Sequence, residues 1–399
     1  MVGKLFYIAM RIWIILIAFS FSANAQSRHT SVWYLCNFQI DSRSGTSVIS
    51  EIPSYLKSSV YYVDKNGDTR LILQDDGLYN GNLERISTEE NPIIWGYQHN
   101  FPTFFVPNPT DENYVFLFNM NDYYLIDLSK NGIVDYKINF DEIKFCKVLA
   151  VHSADCKSIL LIYMTSEKII QYKIQNKKIE YVGTEYLQKN NYPKGFVGSI
   201  DRFTVNLSKN CDYYVATEPN WTFLYYGRFD RQAGSFIRLG SFDYSSDSQN
   251  GVFSRVVASI ISNDGTKLYF TACKADDNSF CIAEVDIKNG IPDYENYRIF
   301  YHDSHRSFFS GGSNFYYGYD SKIYTYNVYL DTEQQPFNLV FQVGTIDADE
   351  NGKTFFNYQT FEHAKYMSYT WPFFVSSWFS DNSCECSQKK NKKLKIICE

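Results

Sequence analysis

Short β-branched and aromatic runs, cut by tight turns at intervals of roughly 45 to 55 residues, predict an all-β chain. The architecture they indicate is a β-propeller, with seven four-stranded blades closed by the N-terminal strand. Three observations support this. The segment 256–300 reads as four antiparallel strands with no helical period. Equivalent turns fall at Asn66, Asp111, Asp155, Asn210 and Asp264. Aromatic residues make up 18% of the 399 residues, which suits strands and supplies core. A pair of β-sandwiches also has short strands but explains the equivalent turns poorly.

In chain order, 31–35 (SVWYL) is a lone strand suited to complete the last blade, followed by the polar stretch 41–47. The units then run 58–86, 103–138, 145–184, 201–242 and 256–300. A degenerate sixth covers 314–341, and a seventh covers 343–379 with its turn at Asn351. In the fifth unit, VVASIIS is a continuous apolar run, and KLYFTA and CIAEVDI alternate as half-buried strands do. Asn263-Asp264-Gly265 is a turn signal, because Gly and Asn accept positive φ at low cost. Radial packing buries both faces of each sheet and leaves only short edges. The propeller is expected over 30–380.

Residues 1–25 read as a secretory signal. Lys4 and Arg11 precede the apolar run 12–19, and Ala23-Asn24-Ala25 fits a cleavage site. The apolar run is short for a membrane span of about 20 residues, and no later stretch is long enough. Cleavage would take the net charge from −6 to −8. A mildly acidic chain without a basic strip argues against nucleic acid as partner. Residues 381–399, with five lysines between Lys389 and Lys395, read as a basic, disordered tail.

Nine cysteines leave at least one unpaired or paired between chains. Cys273 and Cys281 flank KADDNSF and are the candidate disulfide across a hairpin. If Cys146 opens a strand and Cys156 sits in the turn after it, the two lie roughly 20 Å or more apart and cannot bond.

No metalloprotease, nucleophile-elbow, phosphate-loop or EF-hand motif is present, and no cofactor or metal is expected. His302-Asp303-Ser304-His305 is the one local cluster of reactive types. It would hold a metal only if a turn folded it together, and it reads as a polar inter-blade loop. A basic residue starts the innermost strand of three consecutive units. Lys147 stands six residues before Ser153, Arg202 six before Ser208, and Arg255 seven before Ser262. Converging at one channel mouth, they suit an anionic ligand, with Trp95 and Trp221 as stacking faces.

The stretch Ser262-Asn263-Asp264-Gly265-Thr266-Lys267-Leu268-Tyr269-Phe270 resembles the S-x-D-G-x-x-L-Y-F element of WD-like propeller repeats. The order of elements over 31–350 also resembles secreted propeller-like repeat proteins of the Bacteroidetes, associated with type IX secretion and gliding motility. Val32-Trp33-Tyr34, Tyr61-Tyr62-Val63-Asp64 with Asn66-Gly67, Phe104-Phe105-Val106-Pro107 and Leu149-Ala150-Val151-His152 carry that likeness. No recognisable sorting domain follows the propeller. The resemblance implies a secreted, periplasmic or cell-surface protein and supplies no catalytic residues. The expected function is non-enzymatic binding of a protein or glycan at the bacterial cell envelope. The alternative is a polysaccharide hydrolase or lyase, which needs carboxylates converging at the channel mouth.

Overall fold

The computed structural model describes residues between 32 and 361, apart from several inter-strand segments. The longest of these are 52–59, 89–102 (Ile93 excepted), 138–146, 187–203, 244–252 and 308–314. Every structural statement refers to the described residues. The signal segment, the basic tail, Trp95, Cys146, Arg202 and Trp221 lie outside them.

Twenty-six strands form seven antiparallel sheets in chain order, a seven-bladed β-propeller. Sheet I holds β1 (Val32–Leu35), β2 (Phe38–Asp41) and β3 (Val48–Glu51). Sheet II holds β4 (Val60–Val63), β5 (Thr69–Gln74) and β6 (Gly77–Asn80). Sheet III has four: β7 (Thr103–Pro107), β8 (Tyr114–Asn119), β9 (Asp122–Asp127) and β10 (Gly132–Lys137). Sheet IV has β11 (Lys147–His152), β12 (Ile159–Met164), β13 (Lys168–Gln175) and β14 (Lys178–Tyr186). Sheet V has β15 (Thr204–Leu207), β16 (Tyr213–Thr217), β17 (Phe223–Asp230) and β18 (Ser235–Asp243). Sheet VI has β19 (Phe253–Ile261), β20 (Lys267–Lys274), β21 (Ser279–Lys288) and β22 (Ile291–Ser307). Sheet VII has β23 (Phe315–Tyr317), β24 (Ile323–Asp331), β25 (Asn338–Ala348) and β26 (Thr354–Phe361).

Three expectations need correction. Sheets I and II show three strands rather than four. The N-terminal strand is not alone: β1 pairs with β2 from Val32↔Asp41 to Leu35↔Phe38, and no strand of sheet VII pairs with it among the described residues. The polar stretch after it is a hairpin, where Asp41 accepts from the Arg43 backbone and guanidinium. The expected sixth and seventh units also share one sheet. β25 runs straight through their supposed boundary, and Asn351 sits in the turn between third and fourth strands. The turn type recurs there, so spacing alone misplaced it.

Five apolar clusters sit between consecutive sheets: II and III, III and IV, IV and V, V and VI, VI and VII. This two-sided packing explains why β12 is buried along its whole length and why Thr271, in the alternating run of β20, is as buried as its neighbours. A chain alternating polar and apolar residues is here buried on both faces, not half-buried. First strands approach first strands: β1 to β4, β4 to β7, and β11 through β15 and β19 to β23.

The recurring turn between first and second strands has one design. In sheet VI, Ser262 N donates to Lys267 O (2.7 Å), and Ser262 Oγ accepts from Lys267 N and donates to Asp264 Oδ1 (2.6 Å). Gly265 takes φ +73°, a conformation costly for any residue with a Cβ. Sheets IV and V repeat the arrangement with Cys156 (φ 60°) and Cys211 (φ 58°) at that position.

The turn between third and fourth strands leans back on the preceding sheet. Lys177 N donates to Asn108 Oδ1, and its ammonium pairs with Asp111 (3.3 Å) and covers the Tyr114 ring. Arg231 Nε donates to His152 O (3.2 Å). Gly290 lies beside the Tyr213 hydroxyl. Asn351 to Thr354 lie against sheet VI.

Candidate ligand site

The cysteine expectation fails on register. Cys273 pairs with Phe280, and Cys281 pairs with Ala272, one residue out of step. Directly opposed residues share a face and neighbours alternate, so the two sulfurs point to opposite sides of sheet VI. Cys273 packs towards sheet VII and Cys281 towards sheet V. Neither is in a disulfide, and both thiols are buried. Burial pushes Cys273 up to about 12, against the pull of the nearby Arg255 charge. Cys156 is disulfide-bonded, with a partner outside the described residues.

The His302–His305 segment is not a loop. It continues β22, with His302 opposite Cys281 and Asp303 opposite Phe280. No group of three metal-ligating side chains occurs among the described residues. Ser279 Oγ lies 2.5 Å from His302 Nε2, a hydroxyl–imidazole contact of the kind hydrolases use. Ser279 is only 2% exposed, which leaves a substrate no approach to it.

Of the three basic residues expected at a channel mouth, Lys147 and Arg255 stand on the same rung of their first strands. Lys147 is opposite Met164 and Arg255 opposite Cys273, positions that match when the two turns are aligned. A β-bulge between Val256 and Ala258 adds the residue that makes the Arg255 spacing seven instead of six. The bulged Val257 carbonyl accepts from Thr217 Oγ1 (3.0 Å) of the preceding sheet.

The more fully built site was missed by the sequence reading. It is a cavity of about 350 Å³ between sheets VI and VII, at the ends of β20 and β21 and the start of β22. Lys267, Glu284, Asp286 and Arg298 face it from sheet VI, and the turn 351–353 closes it from sheet VII. The register explains the grouping: Lys267 is opposite Asp286, and Glu284 opposite Arg298.

The Glu284 side chain is 5% exposed, at a position held by Leu125 in sheet III and Tyr226 in sheet V. A carboxylate there requires dedicated partners. Oε1 accepts from Lys267 Nζ (3.0 Å) and from Arg298 Nε (2.9 Å) and Nη2 (2.5 Å). Oε2 accepts from Thr354 Oγ1 (2.6 Å) of the next sheet. Burial raises the Glu284 pKa, but the bonds from Thr354, Arg298 and Lys267 outweigh it and hold the group below the usual carboxylate range. Lys267 also bonds Asp286 (3.1 Å); burial lowers its pKa, and its two carboxylate partners reverse that to a net rise. Lys353 is exposed, and its ammonium makes no ion pair among the described residues. Three cations against two carboxylates leave the cavity with a positive balance.

The signal available in the sequence was Glu284 itself. Once both faces of a sheet are buried, an acidic residue on an inner strand cannot simply face water.

No family model matches the sequence, and no curated protein matches it. Among solved structures the chain is similar to a putative 6-phosphogluconolactonase from Bacteroides uniformis. The identity is 12%, over 82% of this chain and 91% of that one, with a TM-score of 0.45. It is also similar to an endo-arabinase from Bacteroides thetaiotaomicron, at 13% identity over 55% of this chain and 81% of that one (TM-score 0.36). The third is Kuenenia stuttgartiensis hydrazine synthase, at 14% identity over 63% of this chain (TM-score 0.38). This chain spans 64% of that one, just under two thirds. The activities in those names belong to those proteins; what this chain has in its own right is the strand order of a seven-bladed β-propeller.

Proposed function

We propose that this is a secreted, non-enzymatic propeller of the bacterial cell envelope that binds an anionic group of a protein or glycan ligand. The observation that carries the reading is the cavity between sheets VI and VII, where Arg298, Lys267 and Lys353 outnumber Glu284 and Asp286. A hydrolase or lyase needs a carboxyl group held protonated as an acid, or a free base beside the substrate. Glu284 is instead held ionised, with its oxygens engaged by four hydrogen bonds, and Asp286 is paired to Lys267. The signal-like N-terminus and the disulfide at Cys156 favour an oxidising compartment. The test is to screen the chain from residue 26 on glycan and peptide arrays and to assay each retained ligand for cleavage. Retention of acidic ligands, recovered intact, supports binding without turnover. Release of fragments overturns it.

A further inference from the structure

The geometry points to a single acidic sugar residue, a hexuronate, as the group that the cavity between sheets VI and VII accepts. This rests on the reading of the protein as a binder and names its ligand class.

Side chains around the cavity are charged or amide, and the turn contributes Gly352, where even a Cβ would meet open space. Pockets for drug-like ligands are lined mainly by apolar and aromatic groups. The side chains lining this one are all polar, which suits an occupant rich in polar groups.

Lys267 is committed to Glu284 and Asp286, and two of the Arg298 nitrogens to Glu284. The half-exposed Arg298 and the unpaired Lys353 remain to meet an anion. The same lining offers acceptors, Asp286 (59% exposed) and the Asn351 side-chain oxygen. A bare anion would leave the Asp286 and Asn351 acceptors without a donor. Sugar hydroxyls both donate and accept, so a ring with one carboxylate and several hydroxyls satisfies cations and acceptors together.

About 350 Å³ is near the lower end for ligand pockets, roughly 300–1,000 Å³, which suits a single sugar ring.

The experiment is titration calorimetry of the protein against a short oligogalacturonate, its uncharged galactose counterpart, and a peptide rich in Asp and Glu. The expected result is binding of the oligogalacturonate alone. Lys353→Glu, an exposed position, should weaken it by about tenfold. Asp286→Asn should weaken it too, because hydroxyl donors lose their acceptor. If Asp286→Asn strengthens binding, the cavity recognises charge alone and the sugar assignment is overturned. Binding of the acidic peptide alone also overturns it, while leaving the protein a binder of anions. Cleavage of the oligogalacturonate would sink the binder reading itself, whichever residues hold the sugar. Unchanged affinity in both variants places the site elsewhere.

Discussion

Thr354 Oγ1 donates a 2.6 Å hydrogen bond to Glu284 Oε2 across the boundary between two blades. Seventy residues of chain separate the two. The bond joins the start of β26 to the most deeply buried acid of sheet VI, and Arg298 and Lys267 complete the acid's shell from its own sheet.

Removing the acid should therefore cost more than removing the hydroxyl. Glu284→Ala strands Arg298, Lys267 and Thr354 and is expected to destabilise the fold by about 2–4 kcal/mol. Thr354→Val should cost about 1–2 kcal/mol. Urea unfolding of both variants reads the order, and a reversed order would show that the Thr354 contact dominates.

The same acid sets an acid limit. The Glu284 pKa lies below its unfolded value of about 4.3, so its contribution is complete above that pH. It fades as pH falls through the depressed folded value. Melting temperatures of the protein and of Glu284→Gln, followed from pH 7 to about pH 2, should differ at neutral pH and converge in acid. A constant gap would mean that Glu284 does not titrate with unfolding.

Gly265 should resist replacement although space surrounds it. Its φ of +73° strains any side chain, so Gly265→Ala is expected to cost about 1 kcal/mol. Gly183 in β14 is equally open and lies outside the left-handed region. Gly183→Ala should stay within about 0.5 kcal/mol, and thermal shifts compare the two.

Cys211, Cys273 and Cys281 should resist a thiol reagent in the folded protein and react in urea. Peptide mapping without reduction should find no Cys273–Cys281 link. Recovery of that link would contradict the register of β20 on β21.

Turn chemistry made much of the fold readable. The Ser262-to-Lys267 pattern uses local hydrogen bonds, so its residues announce themselves at Ser153 and Ser208 as well. What spacing did not reveal was which pair of strands a turn joins. The Asn351 turn copies the local chemistry of the Asn66 turn, with Gly352 and Gly67 both at positive φ, yet it lies at a different corner of its blade. The cysteine pairing failed for a related reason: a one-residue offset in register reverses the face of a side chain, and nothing in KADDNSF sets that offset. Counting back from a turn put Lys147 and Arg255 on one rung, and the bulge at Val257 absorbs the extra residue. Glu284 looked like the wet side of an alternating strand. Its burial depends on a neighbouring sheet whose approach is non-local.

The backward lean of the third-to-fourth turns in sheets IV, V and VII bears on how the row of sheets comes into being. Lys177 reaches Asn108, Arg231 reaches His152, and Thr354 reaches Glu284, so each contact looks upstream. A blade emerging last finds its seat already made. Assembly can then follow the direction of synthesis or export, each of these turns docking on a sheet already formed, while Glu284 waits for Thr354 to complete its shell.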